Sequence, residues 1–488
     1  MTEKLIDKTN SDWKNIYLIS IFAFVDAFQF SFFVWSFWPY AQQLDSTISP
    51  SFIGIIMALS GVGEAFFAPI FGYWANRIGH INPPLISSLL ISLIGNAMYT
   101  CMSLVPTPLR SHALLISRFF SGAGSANRGT YLAYVASASL ETDRTKSMAL
   151  AGGGALIGLV GGPSMQAAFT WIGSGWDFYG VRISMYTAPG ILAMLINVSC
   201  IFFLVLCFDD CLDNRTGPID NISTMSISNS EDSRLNSIDL LTTQISQYDL
   251  IAVLVCMTTR AARMFVTSNV ESIGSPYSQL MFNFDDTEVL HYNSLIQSGI
   301  GFLTTVMLII YASTSYTEKV SERANVIGAM FALLVFHLVT FSWPFLPGTV
   351  NCSNLKINGL NEWCQSLKPV NLYIYYGSYV LVFGIALPCL NNSLQSLYSL
   401  VLGKGRQGTM QGINQAVGSL SRILGPIVMS TTFTTFGPQA TWGVEIAMLT
   451  LFILIWVVTF RRLVPAAQRQ RKIFFAASGL TSFIGSKS

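Results

Sequence analysis

Twelve apolar stretches in two sets of six constrain this chain more than any other feature of it. A helix needs about 20 residues to span the hydrocarbon of a bilayer. Stretches of that order run near 16–38, 52–74, 84–105, 113–136, 148–172 and 185–207, and then near 249–270, 289–312, 324–346, 371–397, 408–434 and 439–460. The length of 488 residues would otherwise suggest about three soluble domains of roughly 150 residues each. Composition excludes that reading, because 51% of the residues are hydrophobic and only 11% charged, whereas soluble domains carry roughly 25% charged residues. The expected fold is all-α and polytopic, with twelve transmembrane helices in two pseudo-symmetric six-helix bundles.

Residues 209–248 separate the two sets and are rich in Ser, Asn and Asp with few aromatics, too polar to bury a core. The expected organisation is therefore a first bundle over 1–208, a cytosolic disordered linker over 209–248, a second bundle over 249–462 and a basic cytosolic tail over 463–488. The first apolar stretch lacks a small-residue cleavage site and reads as a retained signal anchor, which leaves both ends on one side. The Lys and Arg bias chooses that side. With both ends cytosolic, eighteen basic residues lie inside, against Arg110, Arg182, Lys356 and Lys368 outside.

That orientation makes the loop bearing Cys352 and Cys364 non-cytosolic, where the two either pair in a disulfide or stay free. The same loop carries the sequon Asn351-Cys352-Ser353 on the side where glycosylation occurs. Asn214 and Asn221 also begin sequons, but in the linker, where they are expected to be silent. Most other cysteines, including Cys101, Cys200, Cys207, Cys256 and Cys389, read as small buried hydrophobes. The net charge of +2 does not point to a polyanion, and no nucleic-acid partner is expected.

The two sets read as copies of one unit. Asp143-Arg144-Thr145-Lys146-Ser147-Met148 leads into a Gly-rich helix ending Gly161-Gly162-Pro163. About 262 residues later, Gly405-Arg406-Gln407-Gly408-Thr409-Met410 leads into a helix containing Gly425-Pro426. Between the second and third stretches lies Gly72-Tyr73-Trp74-Ala75-Asn76-Arg77-Ile78-Gly79-His80. Arg118 precedes Gly122 and Gly124 in the fourth stretch, and Gly154, Gly158, Gly161, Gly162 and Pro163 punctuate the fifth. Same-orientation six-helix repeats with these three motifs resemble the major facilitator superfamily. The resemblance implies a secondary transporter in which Gly72, Asn76, Arg77 and Gly79 form a cytosolic gating motif. Asn76 stands where that family usually has Asp, so a latch here rests on hydrogen bonds and on Arg77.

The runs from Arg118 through Tyr134 and from Gln411 through Ile427, with the Asp143–Met148 segment, resemble that superfamily's lysosomal branch linked to neuronal ceroid lipofuscinosis. The sequon between the ninth and tenth stretches agrees with the branch, which is glycosylated there. This resemblance implies an endolysosomal membrane protein, chloride permeation and an unsettled cargo.

Charged side chains near the bilayer centre cost about 2.5 to 3.5 kcal/mol each on insertion scales and mark function by default. The deep set is Asp26, Glu64, Arg118, Arg128, Arg260, Arg263 and Arg422. Five arginines against two carboxylates favour a central cavity suited to an anion, which the planar guanidinium grips at two points. Cys256, Arg260, Arg263, Thr267 and Glu271 recur at helical spacing and share a face. Arg118, Ser121, Gly122, Ser125 and Arg128 are expected to share another. Asp26 and Gln29 share a face of the first helix, and Asn391 falls at the repeat offset from Arg128. Asp26 and Glu64 either form ion pairs with Arg128 or Arg118, or one of them carries a proton during the cycle. Arg118 serves structural pairing as readily as cargo contact.

The four histidines, His80, His112, His291 and His337, share no ligand spacing, so no metal site is read, and no cofactor motif is present. No phosphate-cradling Gly-Lys-Ser loop appears, nor any nucleophile motif of an enzyme. The expected partners are a small-molecule or inorganic anion, protons and membrane lipids. Three functions stay open: a secondary transporter of a small anion, an anion channel for chloride, and a membrane scaffold that transports nothing.

Overall fold

The computed structural model describes residues 11–32, 37–44, 50–140, 142–208, 249–284, 286–313, 320–350, 362–403 and 407–469. The linker, Asn351, Cys352 and most of the tail lie outside the described residues. In lipid a backbone must satisfy its own polar groups, which leaves helices as the solution for apolar runs of this length.

The first half contains α1 (Trp13–Ser31), α2 (Pro50–Ile78), α3 (Asn82–Thr100), α4, α5 (Arg144–Ala168) and α6 (Ala188–Cys207). Helix α4 consists of Arg110–Gly124, a 3₁₀ turn Ser125–Asn127 and Arg128–Ala138. The second half contains α7 (Leu250–Phe282), α8 (Asp286–Ser313), α9 (Glu322–Val339), α10 (Leu372–Leu402) and the continuous run Gly408–Thr459. That run breaks at Gly437, whose φ of 84° is non-helical, giving α11 over 408–436 and α12 over 438–459. A Cβ on Gly437 would lie 2.6 Å from the Trp363 indole, so both the backbone angle and the space require glycine there. The twelve spans form the two pseudo-symmetric bundles read from sequence.

Side-chain caps set several starts, as helix N-termini leave backbone donors unpaired. Asp12 caps α1, Asp249 caps α7, Ser321 caps α9 and Asn371 caps α10. Among the described residues, six helical runs, Gly408–Thr459 one of them, are long and apolar enough to cross a bilayer by length and composition. Helices α1, α2 and α4 carry Asp26, Glu64, Arg118 and Arg128 within their length.

Several boundaries depart from the hydropathy reading. Helix α7 runs on to Phe282, well past residue 270, because its polar last third remains helical until Asn283 turns left-handed at φ 57°. Helix α9 stops at Val339 rather than near 346, where short turns through Trp343 replace it. A five-residue π turn, Val382–Ala386, interrupts α10. Pro388, which cannot donate to the preceding turn, follows two residues after it.

In the first half α1 packs on α5, α2 on α4, and α3 on α4 and α6. In the second, α9 packs on α10, and the α11–α12 run packs on α7 and α9. The halves meet where α2 and α4 face α11 and where α5 faces α8 and α10. We call the end where α1 begins and α2 finishes the near end, and the opposite one the far end. At the far end a hairpin of β1 (Trp176–Phe178) and β2 (Val181–Ile183) joins α5 to α6.

Candidate functional site

Glu64 lies fourteen residues from either end of α2, and Arg422 lies fourteen residues into α11, so both sit at the middle of their spans. Their side chains meet across the two halves, with Arg422 Nη1 3.6 Å from Glu64 Oε2. Gln415, two turns nearer the start of α11, donates through Nε2 to Glu64 Oε1. Its Oε1 accepts from Arg260 Nη2 of α7. One carboxylate therefore reaches two arginines, one of them through an amide. Arg128 adds a third positive charge within electrostatic reach of Glu64, Asp26 and Arg260, and its Nε donates to Tyr131 Oη at 3.2 Å.

The polar residues of α1 extend this cluster into the first bundle. Gln29 Nε2 bonds Asp26 Oδ1 at 3.4 Å and Asn197 Oδ1 of α6 at 3.0 Å. Asn127, which also interacts with Asp26, donates to Ser88 Oγ of α3 at 3.1 Å.

Exposure is uneven across the cluster. The Glu64 side chain is 8% exposed, whereas that of Arg422 is 35% exposed. Arg260 is buried, and its Nε has no hydrogen-bond partner among the described residues. Gly418 makes room for that guanidinium, since a Cβ there would stand 2.8 Å from Arg260 Nε. Arg263, one turn further along α7, is buried with Nη2 3.0 Å from the Met264 sulfur.

On α4 a 3₁₀ turn at Ser125–Asn127 lies between Arg118 and Arg128. Arg118 lies over the Tyr99 ring at 5.0 Å, apart from the central charges. Glu64 takes its ion pair from Arg422 of the other half, not from Arg118 or Arg128. Arg128 stands ten residues before Ala138, the end of α4, and Asn391 eleven before Leu402, the end of α10. Asn391 accepts from Gln395 Nε2 at 3.1 Å and donates to Asn392 Oδ1 at 3.4 Å. Gly152 of α5 faces these amides.

From this cluster to the near end the halves are bonded together. Asn76 Oδ1 accepts from Gly408 N at 2.8 Å, and Asn76 Nδ2 donates to Thr409 Oγ1 at 2.9 Å. Gly72 permits that approach: a Cβ on it would stand 2.2 Å from Gly408 O. Arg77 is exposed, and Gly79 ends the helix at φ 74°. A second seam joins α5 to α9 and α10. Arg144 Nη1 donates to Ser399 Oγ at 2.9 Å, while its other nitrogens hold Ser139 Oγ at 3.0 Å and Ser139 O at 3.2 Å. Thr145 Oγ1 donates to Glu322 Oε1 at 2.6 Å and lies 2.7 Å from Ser396 Oγ. All of these bonds between the halves lie at mid-span or nearer this end.

The sequence reading missed Gln415, Arg144, Thr145 and Glu445. Glu445, inside the last apolar stretch, contacts His337 Nε2 within the second bundle. Cys364 is disulfide-bonded, while Cys352 and Asn351 fall outside the described residues. No group of three or more potential metal ligands occurs among the described residues.

The profile of the Major Facilitator Superfamily matches residues 19–426. The chain belongs to that superfamily. As a major facilitator it is an integral, multi-pass secondary transporter and not an enzyme. It is 25% identical over 493 residues to Major facilitator superfamily domain-containing protein 8 of Xenopus laevis, covering 95% of this chain and 94% of that one. Among solved structures, the human organic anion transporter MFSD10 (TETRAN) superposes with a TM-score of 0.64 at 17% identity, covering 91% of this chain and 99% of that one. A bacterial homologue of the iron transporter ferroportin in an outward-facing state gives 0.63 at 12% identity, with 91% and 98% covered. These structural likenesses establish the shared fold.

Proposed function

We propose that this major facilitator carries a small anionic solute across an endolysosomal membrane by alternating access. The carrying observation is the mid-span cluster, in which Arg128, Arg260 and Arg422 surround one buried carboxylate, Glu64, between the two halves. Three guanidinium groups against Glu64 and the neighbouring Asp26 leave a positive excess, and a site of this sign at the bundle interface favours anions. Arg128 and Arg260 are the anion contacts, with Arg263 behind them. Asp26 or Glu64 is the proton carrier, Gln29 and Asn391 line the polar wall, and Arg118 supports the fold. Human MFSD10, which shares the fold, is an organic anion transporter, and its cargo agrees with this class.

In this reading the near end is cytosolic, as the basic-residue bias requires, and the bonds around Asn76 and Arg144 hold the cytosolic side shut. The state is then open towards the lumen, and Asn351 carries the glycan. The location rests on the resemblance to the lysosomal branch.

Reconstitution into liposomes with a panel of labelled organic and inorganic anions tests the reading. Saturable, pH-dependent uptake of an anion that Arg260→Gln abolishes supports it. Saturable uptake confined to neutral or cationic solutes and indifferent to Arg260→Gln rejects it, and unitary currents above carrier turnover replace it with a channel.

A further inference from the structure

We propose that Glu64 is a tethered stand-in for the cargo: with no cargo bound, its carboxylate occupies the place on Arg422 and Gln415 that an incoming anion takes over. This inference rests on the anion reading above and adds how the site is regulated.

Glu64 is the carboxylate that joins the two halves at mid-span, and both of its oxygens are engaged across that boundary. Oε2 faces Arg422 and Oε1 accepts from Gln415, which in turn holds Arg260. A free carboxylate, phosphate or halide arriving from the far end would seek the same donors. Of the pair, Arg422 is the more accessible, its side chain 35% exposed while Glu64 is 8% exposed. The 3.6 Å separation of Glu64 and Arg422 is longer than a charge-assisted hydrogen bond of about 2.7 to 2.9 Å. The pair is thus a contact that a better-placed anion can displace.

Displacement has a structural consequence. Glu64 belongs to α2 and its partners Gln415 and Arg422 to α11, so Glu64 bridges the halves directly. An untethered anion held by Arg260 and Arg422 of the second half and Arg128 of α4 does not pull on α2. Cargo binding therefore releases the direct α2–α11 bond and loosens the mid-span joint there. Movement between the two end states needs that joint to loosen.

The test is anion binding to the purified full-length protein, read by thermal unfolding. Chloride, phosphate and benzoate are titrated separately, with methanesulfonate keeping ionic strength constant. Glu64→Gln is expected to bind at least one probe about tenfold more tightly than the unsubstituted protein, the equivalent of about 1.4 kcal/mol of lost competition. In Glu64→Ala, acetate is expected to raise the unfolding temperature and to compete with the same probe, as a soluble copy of the missing carboxylate. Arg422→Gln is expected to weaken the probe in either background. Equal or weaker binding in a folded Glu64→Gln, with no acetate effect in Glu64→Ala, overturns the tethered-anion inference while leaving the anion site standing. If no probe binds the unsubstituted protein or any Glu64 variant, the anion reading falls and takes this inference with it.

Discussion

Glu64 and Arg422 stand at the midpoints of helices from opposite halves and face each other at 3.6 Å. From this pair to the near end the halves are bonded together. Along that length run Gln415, Asn76 and Arg144 with their partners, so the joint between the bundles behaves as a hinge closed on one side. Predictions about the closed side concern conformation, and those about the midpoint concern cargo.

Gly72 and Gly408 are in backbone contact, and a Cβ at position 72 would meet Gly408 O at 2.2 Å. Backbone cannot rotate away as a side chain does. Gly72→Ala is therefore expected to keep the near end from closing without unfolding either bundle. Spin labels placed on the two halves at that end should report longer distances in Gly72→Ala. Gly443 of α12 is the control, as a Cβ there meets nothing within 4 Å. Gly443→Ala should leave the distances unchanged and stabilise the helix by about 0.5 to 1 kcal/mol.

Arg144 is buried and donates to Ser139 Oγ, to Ser139 O and, across the halves, to Ser399 Oγ. Bonds to a charged group contribute about 1.5 to 3 kcal/mol each. Arg144→Ala should thus weaken near-end closure, and Arg144→Lys should rescue poorly, because an ammonium cannot reproduce the fork. Hydrogen exchange over residues 407–415 is the readout and should accelerate. The Asn76 seam is linked to this one, since Ser399 Oγ donates to Gln407 Oε1 at 2.9 Å and Asn76 bonds the next residue, Gly408, so Asn76→Ala and Arg144→Ala should combine non-additively. Unchanged exchange in the double variant would show that these bonds do not hold the halves together.

Gly418 faces Arg260 Nε at 2.8 Å from its would-be Cβ. An added methyl must displace the end of a flexible side chain, which leaves the fold intact but moves the guanidinium. Gly418→Ala is expected to raise KM for the transported anion about tenfold, a change of about 1.4 kcal/mol, with little change in Tm. A loss of kcat with KM unchanged would place Arg260 outside cargo binding.

The reach of sequence reading follows from contrast. Asp26, Glu64, Arg128, Arg260 and Arg422 stand out because an ionised group in an apolar run is costly, and the structure brings all five into one electrostatic neighbourhood. Gln415 gives no such signal, since an amide in a helix full of Gly, Ser and Asn looks ordinary, yet it is the residue that links Glu64 to Arg260. Arg144 was legible as a basic residue of the repeated Asp143–Met148 segment, not as a bond between the halves. Its partner Ser399 is 255 residues away, and pairing at that distance is a property of how the bundles dock. The fold was more accessible because each span carries its own hydropathy. The breaks at Ser125–Asn127 and Val382–Ala386 were not, because neither interrupts the apolar pattern.

His337 and Glu445 form a contact wholly inside the second bundle, with side chains 0% and 1% exposed. Each ring nitrogen points at an acceptor: Nε2 at Glu445 Oε2, and Nδ1 at Leu333 O, 2.7 Å away. Around them Trp442 Nε1 donates to Thr340 Oγ1 at 2.9 Å and its ring stacks on Tyr277 at 4.5 Å. The pair thus joins α9 to α12 in a site shaped by aromatic rings. Removing one member of such a pair costs about 3 to 5 kcal/mol, whereas replacing both by apolar groups is often neutral. His337→Ala should accordingly lower the unfolding temperature markedly, and His337→Leu combined with Glu445→Leu should recover most of the loss. Transport by the double variant should persist, because α9 and α12 meet each other here, away from the α2–α11 joint. A double variant as unstable as His337→Ala would mean that the packing around the pair, rather than the pairing, sets the cost. A stable double variant with no transport would instead make the His337–Glu445 contact part of the cycle.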